Sequence, residues 1–127
     1  MSLATSLIVW RESVCAGDDC DAPHELKLHL SSEVPLRHFA KQIVEARYLA
    51  HIEGGSATWI LNGNRPLAVF AQQWEQPLFL LPPATPIGAV IAADSIPHFR
   101  FRYFCQVDPH QVFTCLEQGT PLPDMYD

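Results

Sequence analysis

The sequence has only two lysines, Lys27 and Lys41, and it lacks the common motifs of nucleotide-binding proteins and hydrolases. There is no GxGxxG turn, Walker A loop, GxSxG nucleophile elbow or HExxH zinc motif. Few lysines also leave few candidates for Schiff-base chemistry or for clamping a phosphate. These absences disfavour the commonest nucleotide enzymes and hydrolases.

Long apolar runs are missing as well. No run approaches the roughly 18 apolar residues that a membrane-spanning helix needs. Residues 1–10 carry no positive charge and only a short apolar stretch, so we expect no signal peptide. Four cysteines without such a signal favour reduced thiols and a cytoplasmic location.

The charge of the chain is strongly acidic. Eight basic and 14 acidic side chains give a net charge of −6 over 127 residues. DNA binding and adhesion to anionic membranes depend on Lys and Arg, so we expect neither. An acidic surface favours a protein partner with a basic face. The length fits one domain, which we assign to residues 1–119, followed by a loose C-terminal tail at 120–127.

Most of the predicted secondary structure is strand. Strict alternation of apolar and polar residues over 24–30 and 97–105 predicts strands with one apolar and one polar face. Asn62-Gly63 between two apolar runs predicts a hairpin turn. The predicted strands are 7–10, 24–30, 57–61, 66–71, 77–81 (fully apolar and expected to be buried) and 97–105. Residues 87–93 fit a strand or a short helix.

Two helices complete the predicted fold. Apolar residues at spacings of three and four, Val44 among them, predict a main helix from Ser32, its N-cap, to the Gly54–Gly55 pair. Asp108 caps a second helix, which Gly119 ends. The order of elements predicts an α+β fold. Its antiparallel or mixed sheet would carry the main helix on one face, in a β-grasp-like order, with a second short helix at the C-terminus.

The segment from Cys15 to Glu25 concentrates more ionisable groups than any other stretch. It holds two cysteines, three aspartates, one glutamate and one histidine. Because aspartate side chains bond nearby backbone amides, this composition predicts an exposed hairpin loop. The candidate binding residues in this loop are Asp18, Asp19, Asp21, His24 and Glu25. The candidate ligands, if the loop holds a metal, are Cys15, Cys20 and His24.

His98, Arg100 and Arg102 form a second candidate site on the polar side of the last predicted strand. Alternate residues of a strand lie about 7 Å apart on one face. The arginine fork binds carboxylate or phosphate through two hydrogen bonds, so this stripe could hold an anionic ligand. The alternative is a solvated sheet face, with the arginines paired to carboxylates on neighbouring strands.

The remaining aromatic and sulfur side chains fit structural roles. The predicted core anchors are Trp10, Trp59 and Trp74. Cys105 and Cys115 lie on apolar faces, where a thiol behaves as a small hydrophobic group. A nucleophile pair of Cys115 with His110 is disfavoured, because residues five apart on a helix do not share a face.

Three functions are compatible with these patterns. The first is a small acidic binding module whose loop contacts a basic protein, as an inhibitor or an immunity-type protein does. The second is a metal-dependent enzyme centred on the loop at 15–25. The third is a binder of small anionic ligands through His98, Arg100 and Arg102. The absence of catalytic motifs favours the first function and argues against an enzyme.

We expect the purified protein to hold no stoichiometric metal and no cofactor. The C-x4-C spacing is wider than in most zinc sites, no second Cys/His pair follows, and the oxygen pattern of an EF-hand is missing. Elemental analysis of the protein checks this expectation. About one zinc per chain, lost in a Cys20→Ser variant, would contradict it and favour the metal-dependent enzyme.

Overall fold

The computed structural model describes residues 4–11, 25–46, 49, 57–72, 74–92, 97–105 and 108–122. Within these ranges the chain forms six strands, two α-helices and one 3-10 turn. The strands are β1 (Ala4–Arg11), β2 (Glu25–Ser31), β3 (Ala57–Asn62), β4 (Pro66–Ala71), β5 (Leu78–Phe79) and β6 (His98–Cys105). The helices are α1 (Leu36–Glu45) and α2 (Pro109–Gln118), and the 3-10 turn is Ile87–Ala89. The predicted α+β class is confirmed.

The six strands form one mixed sheet in the order β2-β1-β6-β3-β4-β5. β1 and β2 form an antiparallel hairpin, and β3 and β4 form another. β6 lies between the two hairpins, parallel to β1 and antiparallel to β3. The first and last strands are therefore neighbours in the centre of the sheet.

The main core lies between α1 and one face of the sheet, which we call the inner face. Alternation directs Val9 of β1 and Phe99 and Phe101 of β6 to this face, where all three are fully buried. α1 contributes Phe39, whose ring centroid lies 4.6 Å from that of Phe99. The other core residues of α1 are Leu36, Ala40 and Ile43.

α2 packs on the opposite, outer face of the sheet, over β3 and β4. Ile60, Val69 and Val112 are buried together there. The half-buried side chains around them are Trp74, Phe113, Leu116 and Leu122. Leu122 belongs to the segment predicted as a tail, and the division at residue 119 stays a prediction. The sheet thus carries a helix on each face, with the second helix over one half only.

The ends of α2 agree with the sequence prediction. The Asp108 side chain accepts a hydrogen bond of 3.0 Å from the backbone N–H of His110. Pro109 fills the first helical position, and Gly119 follows the helix at a φ of 72°, a left-handed conformation that glycine adopts readily. In the described residues, neither helix is long and apolar enough to span a bilayer.

The start of α1 differs from the prediction of a Ser32 cap. The helix begins at Leu36, and no side chain caps it. Instead, the backbone N–H groups of Leu36 and Arg37 donate to the carbonyl oxygens of Thr85 and Pro83, at 2.8 and 2.9 Å. A distant proline-rich connector therefore satisfies amides that a local side chain was expected to cap.

Three further expectations need correction. α1 ends at Glu45, and the predicted stop at Gly54–Gly55 lies outside the described residues. Val44 is 42% exposed, because the buried stripe of the helix is narrower than the run of apolar residues suggests. The apolar run 77–81 yields only the two-residue edge strand β5, which is half-buried. Of the ambiguous segment 87–93, the residues Ile87–Ala89 form the 3-10 turn.

Ile43 and Val44 provide a matched test of the packing of α1. Ile43→Ala should lower the free energy of unfolding by about 2–5 kcal/mol, because Ile43 is 1% exposed and its removal leaves a cavity. Val44→Ala should cost less than about 1 kcal/mol, because Val44 is 42% exposed and its truncation leaves no closed cavity. Chemical denaturation of both variants measures the difference. Equal losses would contradict the described orientation of α1.

Candidate functional site

The half of the outer face that α2 leaves uncovered is formed by β2, β1 and β6. Strand alternation and the register of pairing place at least nine side chains on it. We call this surface the open face, and it consists of Ser6, Ile8, Trp10, Glu25, Lys27, His29, His98, Arg100 and Arg102. Six of these residues are exposed, whereas Ile8, Trp10 and His98 are half-buried. The open face is the most polar part of the described sheet.

Trp10 occupies the centre of the open face. In register it lies opposite Glu25 on β2 and opposite Arg100 on β6. Its indole Nε1 donates a hydrogen bond of 3.3 Å to Oε2 of Glu25. The guanidinium carbon of Arg100 lies 6.0 Å from the centroid of the indole ring, and the ring of His98 packs at 5.3 Å. The tryptophan therefore touches one anion and two basic side chains, each from a neighbouring strand.

His98 and Arg102 stand at the two ends of the polar side of β6. The backbone N–H of His98 donates to the carbonyl of Ala92 at 2.8 Å, which fixes the start of the strand. Arg102 is exposed and lies opposite Ile60 of β3, a residue of the buried cluster beneath α2. The stripe therefore runs from the half-buried start of β6 to the margin of α2.

The open face is positively charged, whereas the chain as a whole is negatively charged. Lys27, Arg100 and Arg102 carry positive charge, whereas Glu25 is the one carboxylate among the nine residues. Lys27 Nζ lies 3.9 Å from Oε1 of Glu25, but both side chains are largely exposed, so this pair contributes little to stability. With neutral histidines the open face has a surplus of two positive charges (three minus one), in a chain of net charge −6.

The structure places the predicted stripe of His98, Arg100 and Arg102 on one face, as the alternation of β6 requires. The alternative of arginine–carboxylate pairing across strands is not the arrangement at Arg100. Its register neighbours are Trp10 and Asn62, and neither is a carboxylate. The guanidinium of Arg100 is instead placed beside an aromatic ring.

The residues predicted for the acidic loop lie largely outside the described part of the chain. These residues are Cys15, Asp18, Asp19, Cys20, Asp21 and His24. Glu25 is the exception, because it begins β2 and binds Trp10. The strands on either side of this segment, β1 and β2, are antiparallel. In the described residues no three His, Cys, Asp or Glu side chains gather to hold a metal, and the metal and loop hypotheses stay predictions.

Sequence reasoning assigned Trp10 to the core, and this assignment is wrong. Leu7 and Val9 point inward, so the alternation of β1 turns Trp10 outward, and this signal was available in the sequence. Trp59 is the core tryptophan, at 1% exposure. Trp74 is half-buried beside α2, with its ring 4.7 Å from that of His110.

A second arginine–tryptophan contact lies on the inner face and was also missed. Arg11 ends β1, is 6% exposed, and has its guanidinium carbon 5.9 Å from the centroid of the Trp59 ring. Packing against an aromatic ring lets an arginine remain in a mostly apolar environment. Of these two arginines, only Arg100 is exposed and placed to meet a ligand.

Comparisons of the chain with protein-family models, with curated proteins and with solved structures find no match. Function must therefore be inferred from the chemistry of the open face. That chemistry comprises two exposed guanidinium groups on one strand, an imidazole beside them and an indole ring against one of them.

Substitutions of Trp10 test whether it organises the open face. Trp10→Ala should lower the free energy of unfolding by roughly 1–2 kcal/mol, and Trp10→Phe by less, since Phe retains an aromatic ring. The NMR chemical shifts of the His98 ring protons should lose the ring-current contribution of the indole in Trp10→Ala and keep part of such a contribution in Trp10→Phe. The ring of His110, which packs on Trp74, is the control and should not change. An unchanged His98 spectrum in both variants would contradict the described contact.

Proposed function

We propose that the protein is a binding module that holds an anionic group of its ligand on the open face. Arg100 and Arg102 would make the main contacts, with His98 beside them. The observation that carries this proposal is the exposed guanidinium of Arg100 against the indole of Trp10, with the exposed Arg102 on the same side of β6. Arginine is the side chain best suited to hold carboxylate or phosphate through paired hydrogen bonds.

The contact between Arg100 and Trp10 supports the proposal through preorganisation. An exposed arginine has many rotamers, and fixing them costs free energy when a ligand binds. A guanidinium beside an aromatic ring has already lost part of that freedom. Because the ring meets the guanidinium through its π-face, N–H groups remain free to bind an anion. Glu25 holds the indole in place from the other side.

The charge distribution favours a compact anionic group over a long polyanion. The open face carries a surplus of two positive charges, whereas the whole chain carries −6. Nucleic acids depend on many phosphate contacts, which this surface does not offer. Arg100 and Arg102 are about 7 Å apart along the strand, so a ligand with two neighbouring carboxylates or phosphates suits both.

The acidic segment 15–25 is a second candidate contact of the same module. Its last residue, Glu25, begins β2 and binds Trp10. This acidic segment is predicted to prefer a basic partner, whereas the open face is proposed to bind an anionic group. The metal-dependent enzyme rests on loop residues outside the described ranges and stays a prediction.

Titration with small anions tests the proposal. Pyrophosphate and citrate, as a phosphate and a carboxylate probe, should shift backbone amide signals of β6 and β1 in NMR spectra of labelled protein. Arg100→Ala and Arg102→Ala should each weaken binding by about three- to tenfold, through lost charge-assisted hydrogen bonds. A response to one probe only would identify the chemistry of the ligand.

Arg65→Ala is the matched control for this titration. Arg65 is exposed in the turn between β3 and β4, so its loss removes the same charge at a distance from the open face. Binding to Arg65→Ala should equal that of the unmodified protein, apart from a small effect of net charge. Equal weakening by all three substitutions, or shifts that map away from β6, would contradict the proposal.

A further inference from the structure

The two edges of the sheet differ in how they are protected. β5 forms one edge with only two residues, and Pro77 and Pro82 lie close to its ends. Short strands and prolines discourage further pairing, because they offer few backbone groups. β2 forms the other edge with seven residues, contains no proline or glycine, and pairs with β1 without a register shift. Among the described residues, β2 is therefore the edge suited to accept another strand.

The inward side of β2 is also incompletely covered. Leu26, Leu28 and Leu30 are only half-buried, whereas Leu7 and Val9 on the adjacent strand are 2% and 0% exposed. The three leucines pack against the margin of the main core. Another strand beside β2, with apolar residues on the same face, would cover this row.

We propose that a second copy of this chain pairs with β2 in antiparallel orientation, with Leu28 on the two-fold axis. The two six-stranded sheets then become continuous, with the open faces of both copies on one side. The proposal rests on the edge of the sheet and is independent of the anion-binding function. An extended segment of another protein could use the same edge, and a second copy is favoured because its β2 places a leucine opposite each of Leu26, Leu28 and Leu30.

The register follows from the alternation of β2. Side chains opposite each other must share a face, and centring on Leu28 pairs all seven residues of the strand. Leu28 then meets Leu28, Leu26 meets Leu30, Lys27 meets His29, and Glu25 meets Ser31. Centring on Lys27 would place Lys27 against itself, which is destabilising. Centring on His29 would leave the first two residues without a partner.

Substitution of His29 tests the register through opposite changes of charge. His29→Glu places a carboxylate opposite Lys27 of the other copy, twice per dimer, and should tighten dimerisation by about threefold or more. His29→Lys creates two like-charge pairs and should weaken it by a similar factor. Net charge alone predicts the opposite order, because the chain carries −6 and His29→Glu increases the repulsion between copies.

Sedimentation equilibrium over a series of concentrations gives the mass and the dissociation constant. The unmodified protein should approach twice its mass of 14.2 kDa as concentration rises. His38→Glu and His38→Lys are matched controls, because His38 is exposed on α1, which packs on the inner face. These controls should follow net charge only. Arg100→Ala and Arg102→Ala should still form the dimer, which separates this proposal from the function of the open face.

Cross-linking gives a second measurement that depends on geometry. Lys27 and Lys41 are the only lysines, so an amine-reactive cross-linker has few products. In a mixture of isotope-labelled and unlabelled protein, Lys27 should be linked to Lys27 of the other copy. A mass of 14.2 kDa at every concentration, affinities of the His29 variants that follow net charge, or links between the Lys41 residues would each overturn the proposal.

Discussion

The parallel pairing of β1 with β6 is the constraint on which both the core and the open face depend. One register places Val9 beside Phe99 on the inner face and Trp10 beside Arg100 on the outer face. A shift of β1 by a single residue would turn Trp10 toward the core and Val9 outward, so that Arg100 would lose its aromatic neighbour. The packing of the core therefore also fixes the neighbours of the candidate site.

The sequence predicted elements well where local signals decide them. Alternation located β6 and the shared side of its basic residues, and Asp108 and Gly119 located the ends of α2, because these features depend on residues a few positions apart. The start of α1 was predicted wrongly because its amides bind carbonyl groups of the connector at Pro83 and Thr85. No pattern within the helix itself encodes such a distant partner.

Only part of the candidate site could be predicted from the sequence, because some of its contacts join residues that are far apart along the chain. The polar stripe of β6 lies on one strand, so its spacing showed that its members share a face. The contacts of Trp10 with Glu25 and Arg100 join three strands, and Trp10 and Arg100 are 90 positions apart in sequence. Strand order decides which tryptophan contacts which arginine. Arg11 and Trp59 make a similar contact on the inner face, and local sequence patterns do not distinguish the two pairs.

The connector that caps α1 also binds the turn that precedes the helix. Ile87 donates from its backbone N–H to the carbonyl of Val34, and Gly88 donates to that of Ser32, both at 2.9 Å. Together with the cap, these bonds close the segments 32–37 and 82–88 into one unit. Neither segment can open without exposing amides of the other, so both should exchange their backbone hydrogens at a common rate. A peptide of α1 alone would lack this cap and, at ten residues, would be marginal as a helix in water.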